Sequence, residues 1–154
     1  RYALDVTEDP RAALMIAIEN WQRQKEPADT LLLVRAARAA RRIDALEPSV
    51  SLAMSFITWA ELLQGAEGSQ RREATLRQLN QLARQVPVHY PEGPEICKHY
   101  AQQATALKRR GTPIGANDLW IACHALAIDA TLVSHNVSEF ARIEGLRLED
   151  WASS

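Results

Sequence analysis

The sequence predicts an α/β fold: a central, mostly parallel sheet with helices on both faces. Two observations carry this. Short apolar runs alternate along the chain with longer segments whose apolar residues recur at helical spacing, and strands alternating with helices call for a parallel sheet covered on both sides. The chain is also of ordinary globular make-up, 154 residues with 47% hydrophobic and 24% charged, so it has enough apolar side chain to offset chain entropy. That length fits a single domain spanning residues 1–154.

Tyr2–Val6 reads as the first strand, ending on an acid. Thr7-Glu8-Asp9-Pro10 carries a capping-type residue, early acids and an early proline, so it starts a helix. Arg11–Gln24 comes next, with Leu14, Ile18 and Trp21 at helical spacing, and Thr30–Leu46 is a second helix. Val50–Met54 is a strand and Ser55–Ala66 a helix that stops before Gly68. Gln70–Gln85 is a polar-rich helix and Val86–Tyr90 a short strand ended by Pro91. Pro94–Arg110 is a helix whose basic tail, Lys108-Arg109-Arg110, suits the negative end of the helix dipole. Asn117–Ile128 is an apolar helix, Thr131–Ser134 a strand, Val137–Ala141 a short helix and Leu146–Leu148 a last strand. Ligands of such sheets bind at the carboxyl ends of the strands, where the strand order switches.

Charge and cysteine content narrow the function. Lys plus Arg is 18 against 19 Asp plus Glu, a net charge of −1. Bulk positive charge therefore cannot hold this chain on nucleic acid; a local patch or a bound cation would have to. The 2 cysteines, Cys97 and Cys123, make no disulfide framework and fit a reducing cytoplasm. No run approaches the roughly 18 apolar residues of a membrane span, and no secretion signal is visible at the start.

Three acids stand where chemistry would be. Asp5 ends the first strand, Glu61 lies inside the apolar segment Phe56–Leu63, and Asp118 sits in the first turn of its helix. Each also has a plain structural reading: a strand-end turn, a side chain reaching solvent, a favourable helix-dipole contact. Brought together they would repel one another, and a divalent cation would remove the conflict. Mg²⁺ prefers such oxygen ligands and bridges to phosphate.

The motifs sharpen this. Thr112-Pro113-Ile114-Gly115-Ala116-Asn117-Asp118-Leu119-Trp120-Ile121-Ala122, then Thr131-Leu132-Val133-Ser134-His135-Asn136, then Gly145-Leu146-Arg147-Leu148-Glu149-Asp150-Trp151, resemble the C-terminal half of VapC-type toxin ribonucleases of the PIN-domain family. Ser55–Ala66 with its central Glu61 resembles the family's second motif, and Tyr2-Ala3-Leu4-Asp5 its first strand and first acid. The resemblance implies a Rossmann-like PIN fold, RNA cleavage dependent on Mg²⁺ or Mn²⁺, a VapB-type antitoxin as partner and a homodimer. It carries metal-site roles onto Asp5, Glu61, Asp118 and Asn136, the last neutral where the family has an acid or Asn. The N-terminal part departs from the pattern. Asp5 is succeeded by Val6-Thr7-Glu8 rather than Thr-Asn or Thr-Ser, and Asp29-Thr30-Leu31-Leu32-Leu33 itself resembles the family's segment just after its first strand. An insertion near residues 6–29 accounts for both. Asp5 is favoured over Asp29 as the first acid because Tyr2-Ala3-Leu4 supplies a strand to place it.

Two further readings stay open. The altered first motif and neutral Asn136 would suit a domain that has lost catalysis and binds antitoxin or RNA. Cys97-Lys98-His99 and Cys123-His124 invite zinc, but helix neighbours point apart and their spacing is not that of zinc pairs. Arg35, Arg38, Arg41 and Arg42, then Arg71, Arg72 and Arg77, then Lys108-Arg109-Arg110 form basic clusters. Most such clusters are solvated faces; one bordering the acidic site would hold RNA phosphates. A groove between Arg11–Gln24 and Thr30–Leu46 would suit an antitoxin segment.

Overall fold

The computed structural model describes the backbone of Tyr2–Leu4 and residues 52–150. The expected helices Arg11–Gln24 and Thr30–Leu46, the groove between them, the insertion near 6–29, and Asp5 and Asp29 lie outside the described residues.

The elements, in chain order, are β1 (Tyr2–Leu4), β2 (Leu52–Ser55), α1 (Phe56–Glu67), α2 (Arg72–Gln85), β3 (Val88–His89), α3 (Glu95–Arg110), α4 (Ala116–Ala127), β4 (Thr131–Val133), α5 (Val137–Phe140) and β5 (Arg147–Glu149). The strands form one sheet in the order β3-β2-β1-β4-β5, and every pairing is parallel. The order runs outward from β1 in both directions, so the switch point lies between β1 and β4. Leu4 pairs with Met54 on one side and Val133 on the other. The carboxyl ends of β1, β2 and β4 are therefore level.

The core lies on both faces of this sheet, as strand alternation requires. On β4, Leu132 packs with Ile96, Leu107, Leu119, Ile121 and Phe140 on the α3–α4 side. Its neighbour Val133 packs with Met54, Leu62, Leu79 and Leu82 on the α1–α2 side. α3 buries Ile96, Gln103 and Leu107 along one stripe. Gln103 is a polar member of that stripe, and its amide is satisfied by the backbone of Glu144: Nε2 donates to the carbonyl at 3.1 Å and Oε1 accepts the N–H at 3.3 Å. α3 ends where Gly111 turns left-handed at φ 66°. There Thr112 N–H reaches Leu107 O at 3.0 Å and Gly111 N–H reaches Lys108 O at 3.1 Å, a Schellman close that favours glycine.

The expected elements within the described residues fall where the sequence places them, with ends trimmed or shifted by one or two residues. β3 is shorter than Val86–Tyr90 for a physical reason. Val86 N–H still closes α2 on Leu82 O, and Pro87 has no N–H to give a ladder. No helix among the described residues is long and apolar enough to cross a membrane.

Candidate active site

β2 runs into α1 without a loop, and Ser55 serves both. It is the last strand residue, and its Oγ accepts the Ile57 N–H at 3.2 Å as N-cap. Two turns on, α1 delivers Glu61. α4 brings Asn117 and Asp118 in its first turn. Asn117 Nδ2 donates to Glu61 Oε1 at 2.7 Å. Glu61 Oε2 is buried and has no hydrogen-bond partner among the described residues. A buried carboxylate oxygen without a partner is costly, and its neighbours suggest how that cost is offset.

Asn136 supplies the next contact. It caps α5, its Oδ1 accepting the Glu139 N–H and the Ser138 hydroxyl, each at 3.4 Å. This turns its Nδ2 towards Asp118 Oδ2, at 3.4 Å. The carbonyl is thus engaged by the cap, and it is the amide N–H₂ that faces the acid. Of the two routes open to a neutral Asn here, direct coordination through the carbonyl or a hold on a water, the second matches this orientation. Ser134 Oγ fixes the turn by accepting Asn136 N–H at 3.0 Å.

Asn117 thus joins Glu61 of α1 to the first turn of α4, where Asp118 follows it in the chain and is met by Asn136 from the N-cap of α5. Asp5 comes directly after Leu4 in the chain and lies outside the described residues. Among the described residues no three His, Cys, Asp or Glu side chains are grouped to hold an ion. Two carboxylates and an amide are present, one carboxylate with an oxygen that meets no partner among those residues. Carboxylate oxygens suit a hard divalent cation rather than a soft one.

A second polar cluster tethers the same two helices from their other ends. Ser55 Oγ lies 2.9 Å from His124 Nδ1, and His124 Nε2 lies 2.8 Å from His89 Nδ1. Ser55–His124 and Glu61–Asn117 together run α1 and α4 antiparallel. His124 is 1% exposed, and burial, with the neighbouring His89, pushes its pKa down to about 4. It is neutral at pH 7, and both ring nitrogens are engaged. Burial also pushes the Cys123 thiol up to about 12, so it stays protonated, while Cys97 is exposed. These side chains share no ligand geometry. Trp120 stacks on Tyr100 with ring centroids 4.0 Å apart, a packing role.

The sequence singles out Glu61, Asp118 and Asn136 but not Asn117, although it directly precedes Asp118. A signal for it exists: an amide at the start of a helix beside an acid.

The PIN domain family model matches residues 10–146. The chain belongs to the PIN-domain family. Its sequence relatives are VapC-type ribonucleases. Ribonuclease VapC1 of Haemophilus influenzae strain R2866 is 52% identical over 112 residues, 73% of this chain and 83% of that one. The tRNA(fMet)-specific endonuclease VapC of Shigella flexneri is 35% identical over 101 residues, 66% and 76% of the two chains. In structure the chain is similar to VapBC-1 of nontypeable Haemophilus influenzae, with a TM-score of 0.76 and 42% identity over 97% of each chain. It is also similar to VapBC2 of Rickettsia felis bound to a promoter DNA fragment, with a TM-score of 0.75, 27% identity and 97% and 98% of the two chains covered.

Proposed function

We propose that this chain is the toxin ribonuclease of a toxin–antitoxin pair, cutting RNA phosphodiesters with Mg²⁺ or Mn²⁺ held by Asp5, Glu61 and Asp118 and supported by Asn136. The observation that carries it is the buried Glu61 Oε2, which meets no hydrogen-bond partner among the described residues, on a carboxylate held by Asn117, the residue next to Asp118. Support for Asp5 over Asp29 comes from β1: Tyr2–Leu4, which directly precedes Asp5 in the sequence, is a strand at the centre of the sheet. The family match begins at residue 10 and carries no weight in that choice.

When bound, such a cation neutralises the carboxylates, acidifies water and stabilises charge on the phosphoryl group. The chain's own residues do the rest. Asn117 holds Glu61 Oε1, which leaves Oε2 for the ion. Asn136 holds Asp118 Oδ2 from the other side and presents an N–H₂ that can orient a water. Both amides are neutral, so they aim the acids without cancelling their charge.

The relatives solved with their antitoxins support a VapB-type partner, and a homodimer acting in the cytoplasm completes the reading. The names of the relatives as ribonucleases weigh against the binding-module alternative.

The test compares wild type with Asp118→Asn on single-stranded RNA, with Mn²⁺ and with a chelator. Cleavage by the wild type should require the metal, and the variant should lose at least about 100-fold. Equal cleavage by both proteins would remove this site.

A further inference from the structure

We propose that a cavity beside the acidic site receives one nucleobase of the RNA, from a nucleotide flanking the phosphate that is cut. This deepens the nuclease reading and rests on it. The cavity has a volume of about 450 Å³, within the range of about 300–1,000 Å³ typical of small-molecule sites. Ala104 and Leu107 of α3, Pro113 and Ile114 of the next loop, and Leu119 of α4 wall it. Lys108, which is exposed, also lines it.

The cavity and the acidic site share a wall. Ile114 faces the cavity, and the next residue, Gly115, is so close to the acid that a Cβ there would lie 3.7 Å from Asp118 Oδ2. Leu119, on the cavity side, comes directly after Asp118. The wall is braced: Arg142 donates to Pro113 O at 3.0 Å, and Leu119 N–H to Gly115 O at 2.9 Å. A hollow held this way exists before any ligand arrives.

Charge selects the occupant. Lys108 and Arg109 are exposed and make no ion pair among the described residues, whereas the next residue, Arg110, is taken by Glu144 at 2.8 Å. Cations suit the end of α3, but the helix dipole does not explain an apolar hollow beside them. A nucleotide has both halves of the required chemistry: a flat base to bury, and a phosphate for Lys108. An apolar protein side chain would use the walls and leave the cations idle.

The test uses single-stranded RNA carrying 4-thiouridine, photo-crosslinked to Asp118→Asn, which is expected to bind without cutting. Cross-links should map to residues 104–119. Ala104→Phe, which fills the cavity, should raise KM for RNA at least about 10-fold while kcat and Mn²⁺ affinity stay as in the wild type. Lys108→Ala lies on the surface and tests the charged part of the lining without touching the fold. It should raise KM several-fold and reduce the salt slope of RNA binding by about 1. If both variants bind and cut as the wild type does while Asp118→Asn is inactive, the cavity proposal fails and the nuclease reading stands. If the wild type does not cut RNA under any metal, the nuclease reading fails, and the cross-link map alone judges the cavity. Cross-links confined to other segments overturn it. So does an Ala104→Phe protein that keeps RNA affinity but loses a co-expressed antitoxin, because the cavity then serves a protein.

Discussion

The seam between α1 and α4 has two polar ends that differ in one respect. At one end Ser55, His124 and His89 form a chain in which both ring nitrogens of His124 have partners. At the other, Asn117 satisfies half of the Glu61 carboxylate, and the remaining oxygen is buried and meets no partner among the described residues. The same two helices carry both ends. Buried polar groups in folded proteins are nearly always paired, so the paired end holds the helices together, and the other end is where the proposed cation would be met.

Interchanging the two roles by mutation would break that contrast. Glu61→Gln keeps an acceptor for Asn117 and removes the charge. RNA cleavage should fall by about 10²–10³-fold, with no loss of stability in urea unfolding; a large stability loss with intact cleavage would reverse the assignment. His124→Ala should do the opposite. It opens a void in the core and removes one buried partner from Ser55 and one from His89, which together cost about 2–4 kcal/mol by denaturant midpoint.

The pH dependence of stability sharpens the comparison. His124 has its folded pKa depressed to about 4 from the ordinary 6.5. Between those values the unfolded chain binds more protons, so its contribution is fully present above about pH 6.5 and is lost as pH falls towards 4. His124→Gln should flatten that part of a stability–pH profile, and an unchanged slope would show that His124 does not carry it. The smallest effect belongs to Ser55→Ala, which removes the α1 cap and one partner of His124. About 1–2 kcal/mol should be lost, read by thermal unfolding.

How much of this was legible depends on the range of the interaction. Elements defined by local pattern came through well, because periodicity and punctuation are local signals: α3 ends at Gly111 and α1 begins at Ser55, as the residues suggest. The acids were legible one at a time, each by its immediate context. What joins them was not. Asn117 meets Glu61 across 56 positions and Ser55 meets His124 across 69, and no spacing rule reaches that far. Even so, Glu61 offered a warning, since an acid among Phe56, Ile57, Trp59, Leu62 and Leu63 must either reach solvent or find a partner inside.

The central place of β1 has a consequence for how the molecule comes into being. β1, at Tyr2–Leu4, sits in the middle of the sheet, and its neighbour β4 lies far along the chain at Thr131–Val133. Glu61 waits on Asn117, and Asp118 waits on Asn136. The proposed site is thus assembled only once the chain as far as Asn136 has folded against β1.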